Sequence, residues 1–239
     1  MDVVIAQAST LWTLLLTKAA VAWDAMPYVL GGVGVTVGTV AGAMLLGFLC
    51  GVPLAVLHVY GPGWARTLVR LYVWFFRGVP ILLLLFLFYF GVFNALGLDL
   101  DAVTACSIVL GLTSAAYQSQ IFRGSIQALP QGQMRAARAL GMSNTQAIVN
   151  IILPQALRLS IPGWSNEYSI LLKDSALCFA LGAPDLMARA EAVASRTYEH
   201  MTLYVVVGIL YFVITLAGVR LLRLLERRVR IPGYAVSGM

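Results

Sequence analysis

Long apolar blocks separated by short polar connections form the pattern along this chain. Each block is close to the ~20 apolar residues with which a helix crosses the hydrocarbon core of a bilayer. We predict five membrane-spanning helices, over residues 29–57, 71–93, 103–121, 159–181 and 201–222. The pattern therefore predicts an all-α integral membrane protein with one helical membrane domain.

The first apolar block differs from the others because it is short. Residues 3–16 are apolar, but Lys18 and Asp24 follow closely and Pro27 precedes the first full span. This favours an N-terminal lead helix that lies at the membrane interface or is partly buried, and a sixth span is the alternative. We divide the chain into a lead segment at 1–28, a transmembrane domain at 29–226 and a tail at 227–239.

The composition agrees with a membrane location. Of the 239 residues, 60% are hydrophobic and 11% are charged, whereas charged residues make up about a quarter of a soluble domain. The formal net charge of +6 could also indicate nucleic-acid binding, so the placement of the charges has to decide.

Basic residues concentrate in three stretches between or after the predicted spans, and Glu226 is the only acid among them. The basic residues are Arg66, Arg70 and Arg77, then Arg123, Arg135, Arg138 and Arg158, then Arg220, Arg223, Arg227, Arg228 and Arg230. Lys and Arg mark the cytoplasmic side of membrane proteins. The charges therefore predict a multi-pass chain with the N-terminus outside and the C-terminus inside, and no nucleic-acid partner.

The longest polar connection, at about 123–158, faces the cytoplasm on this charge argument. Good helix formers over 134–140 are followed by Gly141, which permits a left-handed stop. A second helical stretch over 145–152 leads to Pro154. A short helix held between two membrane helices suits docking to a partner, and a plain amphipathic connector explains the pattern equally well.

Two features of the first two spans concern helix packing. Pro80 is expected to break or bend the second span, because proline removes a helical hydrogen bond. In the first span, small residues at a four-residue interval permit close approach of two helices, although glycine is also simply common in membrane helices. These residues are Gly34, Gly38 and Gly42, followed by Gly47 and Gly51.

Polar and charged side chains inside the predicted spans are the candidate functional residues, because an unpaired charge at the membrane centre costs about 2.5–3.5 kcal/mol. We predict that six of them line a path across the membrane, in which the two carboxylates attract a cationic group of a substrate. They are Ser114 and Gln118 in the third span and Asn166, Glu167, Lys173 and Asp174 in the fourth. The alternative is a structural ion pair between Lys173 and a carboxylate, within the chain or across a dimer.

The cytoplasmic connection resembles that of the permease subunits of ABC importers, specifically the polar amino acid branch. Their signature is Glu-Ala-Ala, three residues, Gly, nine residues and Ile-x-Leu-Pro. This chain has Arg135-Ala136-Ala137, then Gly141, then Ile151-Ile152-Leu153-Pro154 at the same spacing. The chain also matches the family at 77–80, 121–124 and 166–175, and all the matches occur in the family's order. The chain departs from the family at Arg135 and at Gln120, where Glu is usual or frequent.

The resemblance implies an ABC importer type I transmembrane domain in a bacterial or archaeal cytoplasmic (inner) membrane. It implies that Arg135, Ala136, Ala137 and Gly141 belong to a coupling helix that contacts an ATPase subunit. The expected partners are an ABC ATPase dimer, a second permease chain that is identical or paralogous, an extracytoplasmic solute-binding protein and an amino acid substrate. The chain has no G-x-x-x-x-G-K-[ST] motif, so we expect ATP and Mg to bind the partner ATPase and no cofactor to bind this chain.

Two other classes of function compete with this interpretation. Ser169 and Lys173 lie four residues apart in the fourth span, as an intramembrane serine hydrolase with a Ser-Lys pair would require. A secondary transporter or channel that works without an ATPase is the other alternative, and it would need no docking helix.

Overall fold

Every regular element in the part of the chain that the computed structural model describes is helical. The description covers the backbone of residues 2–229 and the side chains of residues 16–229. The α-helices are α1 Asp2–Leu30, α2 Val33–Tyr60, α3 Gly63–Gly78, α4 Ile81–Phe86, α5 Ala102–Ala128, α6 Gly132–Ala139, α7 Asn144–Ala147, α8 Leu153–Asp174, α9 Leu186–Thr197 and α10 His200–Val229. The prediction of an all-α protein is confirmed.

Three irregular helical segments extend these helices. The π-helix Leu87–Phe93 continues α4, and the π-helix Ile148–Ile152 joins α7 to α8. The 3-10 helix Ser175–Leu181 follows α8 and ends at Gly182, which has φ +85°. The chain is therefore helical without a break from α7 to residue 181, and Pro154 lies in the first turn of α8 rather than between two helices.

Two helices in the described part of the chain, α2 and α10, are long and apolar enough to cross a membrane by themselves. Helices α5 and α8 do not pass the same test, because polar residues lie along them. Helices α3 and α4 pass it only as a pair, and they meet at a bend of 107°. The predicted bend at Pro80 is confirmed, and residues 71–93 do not form one straight helix. The count of five spans and the orientation stay predictions.

The lead segment is helical and longer than predicted, since α1 runs through Pro27 to Leu30. Gly31 and Gly32 separate α1 from α2. Here the chain approaches α9 closely: a Cβ atom on Gly32 would lie 2.7 Å from the backbone of Asp185. Residues 227–229 of the predicted tail belong to the end of α10, and the rest of the tail lies outside the described residues.

Helices α2 and α5 form the centre of the packing. Gly47 and Gly51 bring α2 against α5, where a Cβ atom on Gly51 would lie 3.1 Å from Cβ of Gln118. A Cβ atom on Gly34 or Gly38 would instead have no described side chain or distant backbone within 4 Å. Close packing along the glycine stripe is therefore confirmed for its second half and is wrong for Gly34 and Gly38 within this chain.

Helix α9 lies in the connection between the fourth and fifth predicted spans. The sequence did not predict it, because the mixed composition of this stretch is that of a polar connection. Asp185 caps it by accepting a hydrogen bond from the Ala188 N–H at 2.7 Å. Leu186, Ala190 and Ala194 form its buried face. This face packs against α1 and α10, so α9 holds the end of α1 against the start of α10.

Candidate functional site

A buried hydrogen-bonded network joins α5 to α8. The Ser114 hydroxyl donates to Oε1 of Glu167 at 2.7 Å, and Nε2 of Gln118 donates to the Ser114 hydroxyl at 3.0 Å. The Trp164 indole N–H donates to Oε1 of Gln118 at 2.7 Å. The sequence predicted that Ser114, Gln118 and Glu167 line a path, and the structure joins these three side chains to one another.

The network extends to α2, which explains its position. Nε2 of Gln118 also donates to the backbone carbonyl of Met44 at 3.2 Å, in the region where Gly47 removes the Cβ that would otherwise overlap the Gln118 amide. Sequence reasoning missed Trp164, whose indole faces the network from one turn before Glu167. The signal was its three-residue spacing from Glu167 on one helix face.

The network lies inside this chain. Glu167 is 3% exposed, and Ser114 and Gln118 are fully buried. Buried polar groups that satisfy one another hold packed helices in a unique arrangement. These three side chains are therefore placed to fix α5 against α8, and in this conformation none of them presents a surface to a passing molecule.

The other predicted path residues lie on a different face of α8. Asn166 and Lys173 are exposed and Asp174 is half-buried. Among the described side chains, Lys173 forms no ion pair, so the predicted structural pair with a carboxylate is not formed within this chain. Polar side chains exposed at membrane depth face water or a partner rather than lipid. This face of α8 therefore has the character of a path or an interface.

The predicted coupling helix corresponds to α6. Gly141 follows it with φ +81°, its N–H bonds to the Arg138 carbonyl at 3.0 Å, and the Met142 N–H bonds to the Ala137 carbonyl at 3.1 Å. This pair of bonds is the Schellman motif, which stops a helix at a left-handed residue. The predicted short helix and its left-handed stop at Gly141 are confirmed.

The side chains of α6 divide into an inward and an outward set. Arg135 and Ala136 are exposed, whereas Ala137 is buried within this chain. Leu140, which the sequence analysis did not select, is 83% exposed. The outward surface of the helix is therefore Arg135, Ala136 and Leu140, with Ala137 on the side that holds the helix to its own chain.

Side-chain hydrogen bonds hold α6 rigidly to the helices around it. Gln133 and Gln155 exchange two amide hydrogen bonds, at 2.9 and 2.8 Å. Ser143 caps α7 in a reciprocal capping box with Gln146, and Nε of Arg138 donates to Oδ1 of Asn144 at 2.9 Å. Since Gln155 lies in the first turn of α8, these hydrogen bonds connect α6 directly to α8.

The pair required for an intramembrane serine hydrolase is not assembled. The Ser169 hydroxyl donates to the Ser165 backbone carbonyl at 3.1 Å, an ordinary helical side-chain bond. Lys173 is exposed, and no hydrogen bond joins it to Ser169 among the described residues. The geometry gives no support to a nucleophile at this position.

The sequence profile of the binding-protein-dependent transport system inner membrane component family matches residues 43–231. The probable amino-acid ABC transporter permease protein YckA of Bacillus subtilis (strain 168) is 34% identical over 89% of this chain and 92% of its own length. The histidine/lysine/arginine/ornithine transport system permease protein HisM of Salmonella typhimurium is 34% identical over 82% of this chain and 88% of its own.

A solved structure gives the same assignment. A crystal structure of an amino acid ABC transporter with histidines contains a chain with a TM-score of 0.75 and 33% sequence identity, covering 85% of this chain and 94% of its own. The order of the helices, the α6 connection and these similarities confirm the resemblance that the motifs indicated. The chain therefore belongs to the family of binding-protein-dependent transport system inner membrane components and is the permease subunit of an ABC importer, in which a separate subunit hydrolyses ATP.

Proposed function

We propose that this permease imports a polar amino acid across a bacterial or archaeal cytoplasmic membrane. It works with a second permease chain, two ATPase subunits that bind ATP and Mg, and an extracytoplasmic solute-binding protein. The chain spans the membrane five times, with its N-terminus outside and α6 in the cytoplasm. The observation that carries the proposal is α6: an exposed helix with an outward leucine, fastened to the first turn of the long helix α8.

The coupling step follows from the rigidity of the α6 connection. When the ATPase subunits close on ATP, they displace the surface formed by Arg135, Ala136 and Leu140. The hydrogen bonds between Gln133 and Gln155 carry this displacement into α8. Since packed interfaces switch between discrete arrangements rather than deforming continuously, a shift of α8 opens the path to one side of the membrane at a time.

The path itself runs along the exposed polar face of α8. Asn166 and Lys173 lie on this face, and Asp174 borders it. Ser114, Gln118 and Glu167 act behind it by holding α5 and α8 together, so that both helices line the path as one unit. The six residues thus have two roles: one set faces or borders the path, and the other positions the helices that line it.

Uptake by reconstituted vesicles tests the proposal. Vesicles that contain the permease and its ATPase, supplied with solute-binding protein outside and ATP inside, should accumulate at least one labelled member of a panel of polar amino acids. Accumulation should stop when ATP is replaced by a non-hydrolysable analogue. Flux of the same amino acid through the permease alone, driven by an ion gradient, would instead establish the secondary-transporter alternative.

A further inference from the structure

A small polar cavity lies between α8 and α10. Its volume is about 250 Å³, below the ~300–1,000 Å³ of sites for drug-sized ligands. Five polar or charged residues line it together with Pro162 and Val219: Ser165, Asn166, Ser169, Arg223 and Glu226. The cavity is therefore sized and lined for a small polar molecule.

One buried hydroxyl in this cavity has no hydrogen-bond partner. Ser165 is 7% exposed, and its hydroxyl makes no hydrogen bond within the described structure. Two other serines of α8, Ser160 and Ser169, each donate to a backbone carbonyl of the same helix. A buried polar group without a partner costs about 1–3 kcal/mol, so a ligand that bonds to the Ser165 hydroxyl would remove this penalty.

Two opposite charges, an exposed arginine and a half-buried glutamate, line the cavity without forming an ion pair with each other. Arg223 and Glu226 lie three residues apart on α10 and both face the cavity. Neither forms an ion pair with any other side chain in residues 16–229. A single ligand that carries both an anionic and a cationic group would satisfy both.

Two side-chain acceptors line the cavity. An ammonium group has three donors and seeks several acceptors. The Glu226 carboxylate and the Asn166 amide oxygen are acceptors of this kind on the walls of the cavity.

We infer that this cavity is a subsite for the α-ammonium and α-carboxylate groups of a free amino acid, with Arg223 holding the carboxylate, Glu226 holding the ammonium and Ser165 completing the hydrogen bonds. The inference rests on the proposed function, which needs only a path and no particular subsite. Arg223 and Glu226 directly follow the predicted span at 201–222. The subsite therefore lies at the predicted cytoplasmic end of the path, where an imported amino acid is released.

Direct binding to the purified permease–ATPase complex, without solute-binding protein, tests the inference. The probes are labelled L-arginine, L-glutamine and L-histidine, each with its decarboxylated amine and its N-acetyl derivative as competitors. At least one amino acid should bind, and its two derivatives should compete poorly. Arg223→Gln should weaken amino acid binding about tenfold or more while leaving the affinity for the amine unchanged. Glu226→Gln should weaken amino acid binding by a similar factor while leaving the affinity for the N-acetyl derivative unchanged.

Two further variants separate recognition from structure. Arg227→Gln removes a neighbouring exposed charge outside the cavity and should bind within about twofold of the unaltered complex. Ser165→Ala keeps both cavity charges and removes the unpartnered hydroxyl, so it should assemble normally, unfold at the same or a higher temperature without ligand, and bind the amino acid severalfold more weakly.

The outcomes against the inference are distinct from failure of the proposed function. Equal binding by Arg223→Gln, Glu226→Gln and the unaltered complex overturns it, as does equal competition by all three forms of the amino acid. Dissociation of the permease pair by Arg223→Gln and Glu226→Gln, with Ser165→Ala binding normally, overturns it in favour of an interface between permease chains. If the unaltered complex shows no ATP-dependent uptake at all, that result contradicts the proposed function itself.

Discussion

Two aspartates cap helices in the same way, but their carboxyl groups have opposite surroundings. Asp185 at the start of α9 is 2% exposed, and burial raises its pKa to about 6. Asp101 at the start of α5 is exposed, and hydrogen bonds from Thr104 and Val103 hold the pKa of its carboxyl below the ordinary value. The two caps therefore respond to pH in opposite directions.

The first prediction concerns the pH dependence of thermal unfolding. Since the folded pKa of Asp185 is raised, folding takes up a proton between about pH 4 and 6, and this group adds stability as the pH falls from 7 to 5. The difference from the ordinary value of 3.8 corresponds to about 3 kcal/mol at most. Asp185→Asn keeps the capping oxygen and should lose this rise in the unfolding temperature between pH 7 and 5.

Asp101→Asn is the matched control. The lowered pKa of Asp101 gives stability that is present above about pH 4 and is lost below it, so its substitution should leave the change between pH 7 and 5 as it is in the unaltered protein. An Asp185→Asn protein whose unfolding temperature rises as much as that of the unaltered protein would show that the Asp185 carboxyl does not titrate in this range.

The second prediction separates the two roles considered for Glu167. Glu167→Gln retains an acceptor for the Ser114 hydroxyl, so unfolding temperature and uptake should stay close to those of the unaltered complex. Glu167→Ala removes the acceptor and leaves a cavity, and should cost about 2–5 kcal/mol. Reduced uptake and altered amino acid preference in a Glu167→Gln complex that unfolds normally would assign Glu167 to the path after all.

Spacing along the spans identified Ser114, Gln118 and Glu167 as polar residues inside the membrane domain, but it did not show that they bond to one another and are buried. Burial depends on the neighbour on the other side, and α2 covers this network through contacts of Met44 and Gly47. No periodicity within α5 or α8 contains that information. Leu140 was not selected for a similar reason, because its position at the end of an amphipathic helix does not show whether the side chain is buried or exposed.

The packing of α8 against α10 depends on one glycine. The Tyr168 ring lies directly over Gly218, so that a methyl group there would overlap the ring, and the Tyr168 hydroxyl donates to the Ile214 carbonyl at 3.2 Å. Gly208, on the same helix, has open space at the corresponding position. The two glycines form a matched pair for testing this contact.

The third prediction is that Gly218→Ala and Gly208→Ala have opposite effects on thermal unfolding in detergent. Gly218→Ala forces the Tyr168 ring aside and should destabilise by about 1–3 kcal/mol. Gly208→Ala should stabilise by up to about 1 kcal/mol through helix propensity. If both variants unfold at the same temperature, Tyr168 moves freely and the contact does not fix α8.

Helix α2 shows why the packing partner of a whole helix could not be predicted from sequence alone. Gly34, Gly38, Gly47 and Gly51 share one spacing, yet only the last two approach α5 closely. Spacing identifies a face with small residues, and the partner that covers it depends on the path of the rest of the chain. The bend at Pro80 could be predicted because proline acts locally, whereas α9 could not, since its stability comes from contacts with α1 and α10.

In the whole molecule, three features form one continuous connection. The exposed α6 surface is joined to α8 by the Gln133–Gln155 bonds, and α8 is joined to α5 by the Ser114–Glu167 bond. Each contact is local, but together they connect α6 to the two helices that carry the polar residues of the membrane domain, and the proposed coupling uses this connection. The central claim is therefore that α6 transmits the nucleotide cycle of the ATPase to the path.

ATP-dependent uptake by a Leu140→Asp complex tests this claim most directly. Leu140 is 83% exposed, so the substitution should not affect folding, and loss of an interface anchor of about 2 kcal/mol or more should lower uptake at least tenfold. Leu96→Asp alters a leucine that is 67% exposed in the connection before α5 and should import normally. Uptake and ATP hydrolysis by Leu140→Asp at the rates of the unaltered complex would contradict the account.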